Sequence, residues 1–568
     1  MTAKVRFANS ASPMLACGTA FNGSMLTTEL SNSLFDAALP EPSHWESHYP
    51  PRDLPPGAIV TRFAPSPTGF LHTGGVYIAT IGRNLAHHSG GVYFVRIEDT
   101  DQAREVAGSR EQFARAFKYF DIESDENDSS TWGPYEQSKR EQIYHTYARE
   151  LLRRGHAYLC FCTREELAQM QEQQLAAKAH TGYYGEWARC RNLSEAEVIS
   201  RLEAGRPYTI RFRSPAGPPA RVEFVDLIRG RIEHQDNIND IVLLKSSDQS
   251  PRLPTYHFAH AVDDHLMRVN VVLRGEEWIS SAPLHLQLFR ALGFEPVPYA
   301  HIAPLMKFDG SSKRKLSKRD NEADVEFYVK SGYPAGAVQH YLRGLANSRF
   351  AEMTFEESAS SALSLSDCGV AGPIFDLVKL ESISREFIAQ LPADIALNSL
   401  LAWARDYDAE LHGILSTSSA VARRIFANER QPGVLQRKDL AKWSEFRGAY
   451  GLYFKELFPL VTDPSDARFA PVAPHIVVKL AKDFADSYQH EADKETWFEQ
   501  IRRLAGAHGF APTAGQFKKD PSRFAGSISH VSNVIRILLT GLTQSPELFL
   551  VAHNIGEEEL LRRVRALT

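Results

Sequence analysis

The run "AIVTRFAP", a turn rich in proline and glycine, then "VYIATIGRNLAHHSGG" and "VYFVRIED" constrain this chain more than anything else in it. An apolar strand leads to a helix with Ile78, Ile81 and Leu85 on one face, closed by Gly90 and Gly91, and then to a second apolar strand. Strand, helix, strand at this spacing is a βαβ unit, so its strands must be parallel. The rhythm returns at "VNVVLRGEEW" (strand), "PLHLQLFRALGF" (helix closed by Gly293) and "YAHIAPLM" (strand). Between the two halves, "KREQIYHTYARELLRRG" reads as an amphipathic helix, and "YTIRFRSP" and "RVEFVDLIRGRI" as hairpin strands of an inserted domain. The expected fold is α/β: a Rossmann-type parallel sheet split by a mixed α/β insertion, with a mostly helical remainder beyond about residue 330.

At 568 residues the chain is too long for one core, and the expected divisions are 1–57, an extension; 58–155 and 251–310, the two halves of the sheet domain; 156–250, the insertion; 311–385, a basic loop and the region after it; and 386–568, helical. The prolines of "ALPEPSHWESHYPPRDLPPG" keep that lead-in from lying inside regular helix or sheet. No run approaches the roughly 20 apolar residues needed to span a bilayer, so no membrane partner is expected. A net charge of -5 gives no global attraction to nucleic acid, which must then be held by local basic patches. Five scattered cysteines argue for a reducing compartment. Lys4 and Arg6 precede no signal-type apolar core, and the cytoplasm is the expected location.

The turn itself, "RFAPSPTGFLHTGG", lies where open α/β sheets bind ligands. Gly69, Gly74 and Gly75 let backbone approach a phosphate, the following helix offers its N-terminus to negative charge, and His72 can donate to a phosphoryl oxygen. A surface histidine at a helix entry is the plainer alternative. Far downstream, "DGSSKRKLSKRD" carries Lys313, Arg314, Lys315, Lys318 and Arg319 on a loop after the last strand of the same sheet, where it can meet His72 over one triphosphate.

"APSPTG" with "HTGG", "KLSKR", "RIEDTD", "PTYHFAHAVDDH", "LRGEEW" and, near the C-terminus, "RILLTGLTQSPEL" together resemble the glutamyl-tRNA synthetases among the class I aminoacyl-tRNA synthetases, over residues 58 to 568. The proline-rich lead-in and "GYYGEWARCRNL" resemble a bacterial subgroup with an N-terminal extension. The resemblance implies an ATP- and Mg²⁺-dependent ligase that activates L-glutamate and esterifies tRNA(Glu), with tRNA(Gln) as a second substrate in a non-discriminating form, acting as a monomer. It implies catalytic roles for His72, Lys315 and Lys318, and ATP contacts from His72, Thr73, Gly74, Gly75, Lys315, Ser317 and Lys318, the lysines on a mobile loop. It implies a glutamate pocket of Arg62, Ala64, Ser66, Glu98, Tyr256 and Arg274, with His260 at a position where the family varies. A guanidinium fork matches a carboxylate, which suits Arg62 to the substrate side chain.

Cys160, Cys162 and Cys190 supply three thiols, and with one further donor they make a tetrahedral zinc site. The resemblance implies a tyrosine as fourth ligand, Tyr183 or Tyr184, with His180 another choice; Tyr184 is the expected one. Buried free thiols are the alternative. The acceptor end of tRNA is expected on the insertion, where Arg211 and Arg213 lie, and the anticodon on the C-terminal helices, where Lys518 and Lys519 lie. A tRNA-modifying relative would stop after the catalytic domain, and a non-catalytic RNA-binding paralogue would be free to lose "HTGG" and "KLSKR".

Overall fold

A computed structural model of the chain describes residues 26–215, 217, 220–317, 319–428, 430 and 437–567. Strand β1 (Val60–Phe63) pairs in parallel with β2 (Val92–Val95), and helix Thr73–His88 crosses between them, as the βαβ pattern requires. Then follow β3 (Ala157–Cys160), β4 (Thr209–Phe212), β5 (Arg221–Asp226), β6 (Gly230–Gln235), β7 (Val242–Leu244), β8 (Val272–Gly275), β9 (Tyr299–Ile302), β10 (Met306–Asp309) and β11 (Ser312–Lys315). β8 and β9 are parallel, and the amides of Asn270 and Val271 donate to the Val60 carbonyl at 3.0 and 3.3 Å, which sets β8 beside β1. The layer therefore runs β2-β1-β8-β9-β5-β6. Since β1 leads the chain to β2 on one side and has β8 on the other, the strand order switches between β1 and β8, where a crevice opens beyond the strand ends.

Residues on these strands alternate between two cores. Val60, Phe94, Val272 and Tyr299 pack with helices Glu141–Arg153, Tyr256–Leu266 and Ala282–Leu292, while Phe63, Tyr93, Val95, Leu273 and Ile302 pack with helix Thr73–His88 and the chain after Val325. Both faces are covered, which is why the strands are near-continuously apolar. Gly293, at φ +80°, closes helix Ala282–Leu292 in the left-handed conformation expected of it.

Three regions differ from the sequence-based expectation. The hairpin β5–β6 does not belong to a sheet of the insertion: Asp226 pairs with Tyr299 and the Leu227 amide donates to the Tyr299 carbonyl at 2.8 Å, so it extends the main sheet. The insertion's own sheet is the antiparallel β3-β4-β7. The basic segment is not a plain loop either. Met306–Asp309 and Ser312–Lys315 form a tight antiparallel hairpin turning at Gly310, at φ +60°, and Lys315 ends its second strand. The lead-in does hold regular structure: short helices Thr28–Ser33 and Pro42–His48 lie against helix Glu141–Arg153, Pro42 sitting at a helical first turn where its missing N–H has no consequence.

Beyond Val325 the described chain is helical, with one core around Leu400, Phe426 and Phe446 and another around Leu480, Trp497 and Leu538. Among the described residues no helix is long and apolar enough to cross a membrane.

Candidate active site

The crevice at the switch point is a cavity of about 720 Å³, lined by Arg62, Ala64 and Ser66 from the end of β1, by Glu98, by Tyr256, and by Arg274 and Gly275 from the end of β8. His72, Ile78, Gly275 and Glu277 also line a second cavity of about 310 Å³, whose further walls include Gly74, Lys315 and Ser317. Two stretches of sequence some 240 residues apart thus border adjoining spaces.

His72 is the N-cap of helix Thr73–His88 and its Nδ1 accepts the Gly75 amide at 3.2 Å. With Nδ1 accepting, the neutral ring carries its proton on Nε2. Thr73 is buried and lines neither cavity: its hydroxyl donates to the Glu322 carbonyl at 2.7 Å, and His72 bridges Asp324, so the turn is fastened to the segment after the basic hairpin. Gly75 borders the larger cavity. Lys315 is exposed, 3.9 Å from Glu277. Ser317 is fixed by Asp320, whose carboxylate accepts its amide at 3.0 Å and its hydroxyl at 3.2 Å while also holding Arg314 at 2.6 Å. Lys318 lies outside the described residues.

Behind the larger cavity is a buried charge network. Asp264 accepts from Arg62 Nε at 3.0 Å and Arg96 Nη1 at 2.6 Å, and His260 Nδ1 lies 2.9 Å from its other oxygen. Burial alone would push the Asp264 carboxyl up, but Arg62, Arg96 and His260 together hold it well below the usual range. Arg96 Nη2 also donates to Glu98 at 3.1 Å, yet burial outweighs the nearby guanidiniums and pushes the Glu98 carboxyl up to about 7. His260 does not line the cavity. It is fully buried, it joins Asp264 to the Tyr299 hydroxyl at 2.9 Å, and burial pushes it down to about 4, so it is a neutral supporting residue.

Arg274 is supported in the same way. Its Nε donates to His301 Nε2 at 3.0 Å, His301 Nδ1 sits 2.7 Å from Asp226, and its Nη1 lies 3.1 Å from His285. Burial holds His285 well below its ordinary range, so the guanidinium faces neutral imidazoles. The Arg274 Cζ lies 4.4 Å from the Tyr299 ring centre, a cation–π contact that further fixes it. Tyr256 packs on Trp278 with ring centres 4.6 Å apart. Lys245, Glu277 and Trp278, which sequence reasoning missed, also line the cavity, and Lys245 Nζ donates to the Thr100 carbonyl from the insertion side. Only "EEW" following the strand "VVLRG" offered a local signal for two of them.

At the insertion, the sulfurs of Cys160, Cys162 and Cys190 lie within 4.8 Å of one another. The neighbouring tyrosine is Tyr183, not Tyr184. Tyr183 Oη is 3.4 Å from Cys160 Sγ and 3.3 Å from Cys162 Sγ, and it accepts the Cys190 amide at 3.0 Å. Tyr184 points the other way, donating to the His180 carbonyl at 2.7 Å. Three thiols and one phenol converging on one point are a donor set that fits a tetrahedral zinc ion.

Comparison with known proteins agrees with this arrangement. Residues 58–380 match the family model described as tRNA synthetases class I (E and Q), catalytic domain. A glutamate–tRNA ligase of Clostridium perfringens is 40% identical over 550 residues, covering 94% of this chain and 99% of its own length. That of Thermus thermophilus is 34% identical over 515 residues, covering 90% of this chain and all of its own. The crystal structure of a glutamate tRNA ligase from Elizabethkingia meningosepticum in complex with its amino acid superposes with a TM-score of 0.72 at 27% identity, over 89% of this chain and 98% of that one. With a parallel sheet, a switch-point crevice and a family match across both halves of that sheet, the chain belongs to the class I tRNA synthetases of the E and Q type.

Proposed function

We propose that the chain is a glutamate–tRNA ligase, which activates L-glutamate with ATP and transfers it to the terminal ribose of tRNA(Glu), with the larger cavity taking the amino acid and the smaller one the nucleotide. The observation that carries this is the convergence of Arg62, Arg274, Tyr256 and Glu98 on one crevice that adjoins, through His72 and Gly275, a space bordered by Lys315 and Ser317.

Activation requires the glutamate α-carboxylate to attack the α-phosphorus of ATP as pyrophosphate leaves. No protein nucleophile is needed, so positioning and charge stabilisation supply the rate; positioning alone accounts for up to ~7–11 kcal/mol of such barriers. Arg62, held by Asp264, presents its remaining N–H groups to the substrate side-chain carboxylate. Glu98, when ionised, accepts the α-ammonium. Aspartate, one methylene shorter, loses reach, worth roughly 1–3 kcal/mol, and glutamine leaves the arginine without its ionic partner. His72 Nε2–H and the backbone of Gly74 donate to the triphosphate at the helix N-terminus, while the Gly75 amide, already given to His72, holds the ring in place. Lys315 stabilises the departing pyrophosphate, and Lys318 keeps the same role on the strength of the "KLSKR" motif. Mg²⁺ accompanies the ATP phosphates.

Zinc, held by Cys160, Cys162, Cys190 and Tyr183 in place of Tyr184, would tie β3 to the loop ahead of helix Glu195–Glu203 and has no part in the chemistry.

The test is aminoacylation with labelled glutamate, ATP and Mg²⁺, with purified tRNA(Glu) and tRNA(Gln) offered separately. Charging of tRNA(Glu) is expected; charging of both would assign a non-discriminating enzyme. Charging of neither by folded protein would overturn the proposal.

A further inference from the structure

The segment 41–52 precedes every motif shared with the catalytic domain, yet its side chains end in the network behind the amino-acid cavity. Helix Tyr256–Leu266 carries Tyr256 at the cavity and Asp263 and Asp264 in the buried network, and its far end is gripped by this segment. Glu46 Oε1 lies 2.7 Å from His265 Nε2, and Glu46 Oε2 lies 3.0 Å from Arg268 Nη2. The Tyr49 carbonyl accepts from both Nε and Nη2 of Arg268, and Arg52 Nε donates to the Met267 carbonyl at 3.1 Å. Arg268 sits at φ +60°, a left-handed conformation that a side chain makes unfavourable. These contacts hold it there and so fix where the helix ends.

A second connection runs through the interior. Tyr49 Oη donates to the Gly133 carbonyl at 2.9 Å and accepts from Arg140 Nη1 at 3.2 Å. Arg140 Nε donates to Asp263 at 2.8 Å, and Asp263 also accepts from Tyr144 at 2.7 Å and Gln137 at 2.9 Å. Arg96, 4.0 Å from Asp263, binds Asp264 and Glu98. Arg96, Arg140, Asp263 and Asp264 are all at most 1% exposed, so none of these charges can exchange its partner for water.

We infer that segment 41–52 is a positioning element of the amino-acid cavity: Glu46 and Tyr49 hold helix Tyr256–Leu266 so that Asp264 aims Arg62, and Arg96 aims Glu98, at the substrate. This rests on the reading of that cavity as the glutamate site. Glu46 and Tyr49 touch no substrate. Their effect falls on glutamate more than on ATP, because the nucleotide cavity is walled by the His72 turn, the ends of β8 and β9 and the basic hairpin, while Glu46 and Tyr49 hydrogen-bond to helix Tyr256–Leu266, to Arg268 and to Arg140.

The test uses full-length Glu46→Ala, Glu46→Asp and Tyr49→Phe in the tRNA(Glu) charging assay, with thermal melting in parallel. Expected are a glutamate KM raised about three- to thirtyfold in Glu46→Ala and Tyr49→Phe, an ATP KM within about twofold of wild type, and partial recovery in Glu46→Asp. Tyr49→Phe deletes one hydroxyl and keeps the ring, so it remains informative if Glu46→Ala does not fold. An unchanged glutamate KM in Tyr49→Phe, or equal rises in both KM values alongside a lowered melting temperature, would overturn the inference while leaving the ligase reading intact. Wild-type protein that charges no glutamate would overturn both.

Discussion

Asp264 stands directly behind Arg62, its carboxylate accepting from Arg62 Nε at 3.0 Å, with both side chains almost fully buried. The aspartate leaves one edge of the guanidinium fork for the cavity, and it sets the direction in which that edge points. Replacing Asp264 by Asn leaves Arg62 and Arg96 to share a neutral amide. Breaking a buried ion pair from one side typically costs about 3–5 kcal/mol. The expectation is a lowered melting temperature together with a glutamate KM that rises far more than the ATP KM. An Asp264→Asn enzyme with unaltered glutamate KM would separate Arg62 from substrate recognition.

Glu98 links recognition to pH. Burial pushes its carboxyl up to about 7, against 4.5 for a free one, so in the empty enzyme near neutrality it is part protonated and accepts an ammonium less well. Glutamate kcat/KM should fall as pH drops below about 7, and Glu98→Gln should be poor and flat across that window.

The same shift affects stability in a defined direction. A folded-state pKa above the unfolded one favours the folded chain when the group is protonated, a contribution complete below about pH 4.5 and lost as pH rises through about 7. The stability of Glu98→Gln relative to wild type should therefore rise between pH 5 and pH 8, by on the order of 2–3 kcal/mol at most, read by denaturant unfolding at each pH. A pH-independent difference between the two would show that the carboxyl is not perturbed.

His72 serves two ends that substitutions can separate. As N-cap it stabilises its helix, and in the proposed reaction its Nε2–H is the donor to the phosphates. Asn is a good N-cap that lacks the imidazole donor, so His72→Asn should keep the melting temperature near wild type and lose roughly 10²–10³ in charging kcat. His72→Ala should lose both, with a cap contribution of about 1 kcal/mol. Normal charging by either variant would remove the histidine from phosphate binding.

Tyr183 and Tyr184 give the metal site its own test. Protein purified with zinc should retain about one ion under mild chelation. Tyr183→Phe should release it more readily and Tyr184→Phe should not, as read by metal analysis without any activity assay. Equal retention in both variants would leave the phenol out of the ligand set.

Much of this was legible in the sequence where local chemistry decides. The βαβ unit and the closing of helix Ala282–Leu292 by Gly293 follow from apolar runs and turn residues that act over a few positions. What escaped depends on distant pairing. Nothing in "RVEFVDLIRGRI" shows that Asp226 will pair with Tyr299 rather than with the insertion's own strands. Tyr183 and Tyr184 are adjacent and chemically alike, and only the backbone direction decides which one meets the thiols. His260 is open in the sequence between a pocket role and a packing role, and the fold turns it inward to Asp264. Lys245 reaches the cavity from the insertion through a contact with Thr100 that no local pattern encodes.

Arg62 carries the proposed recognition of the glutamate side chain. Steady-state charging of tRNA(Glu) by full-length Arg62→Ala, with glutamate and ATP varied in turn, tests that role. A glutamate KM raised by about two orders of magnitude or more, as expected for a lost charge-assisted pair, with an ATP KM close to wild type, is the predicted result. A glutamate KM unchanged in a folded variant would contradict it, and would place recognition of the substrate side chain elsewhere in the cavity.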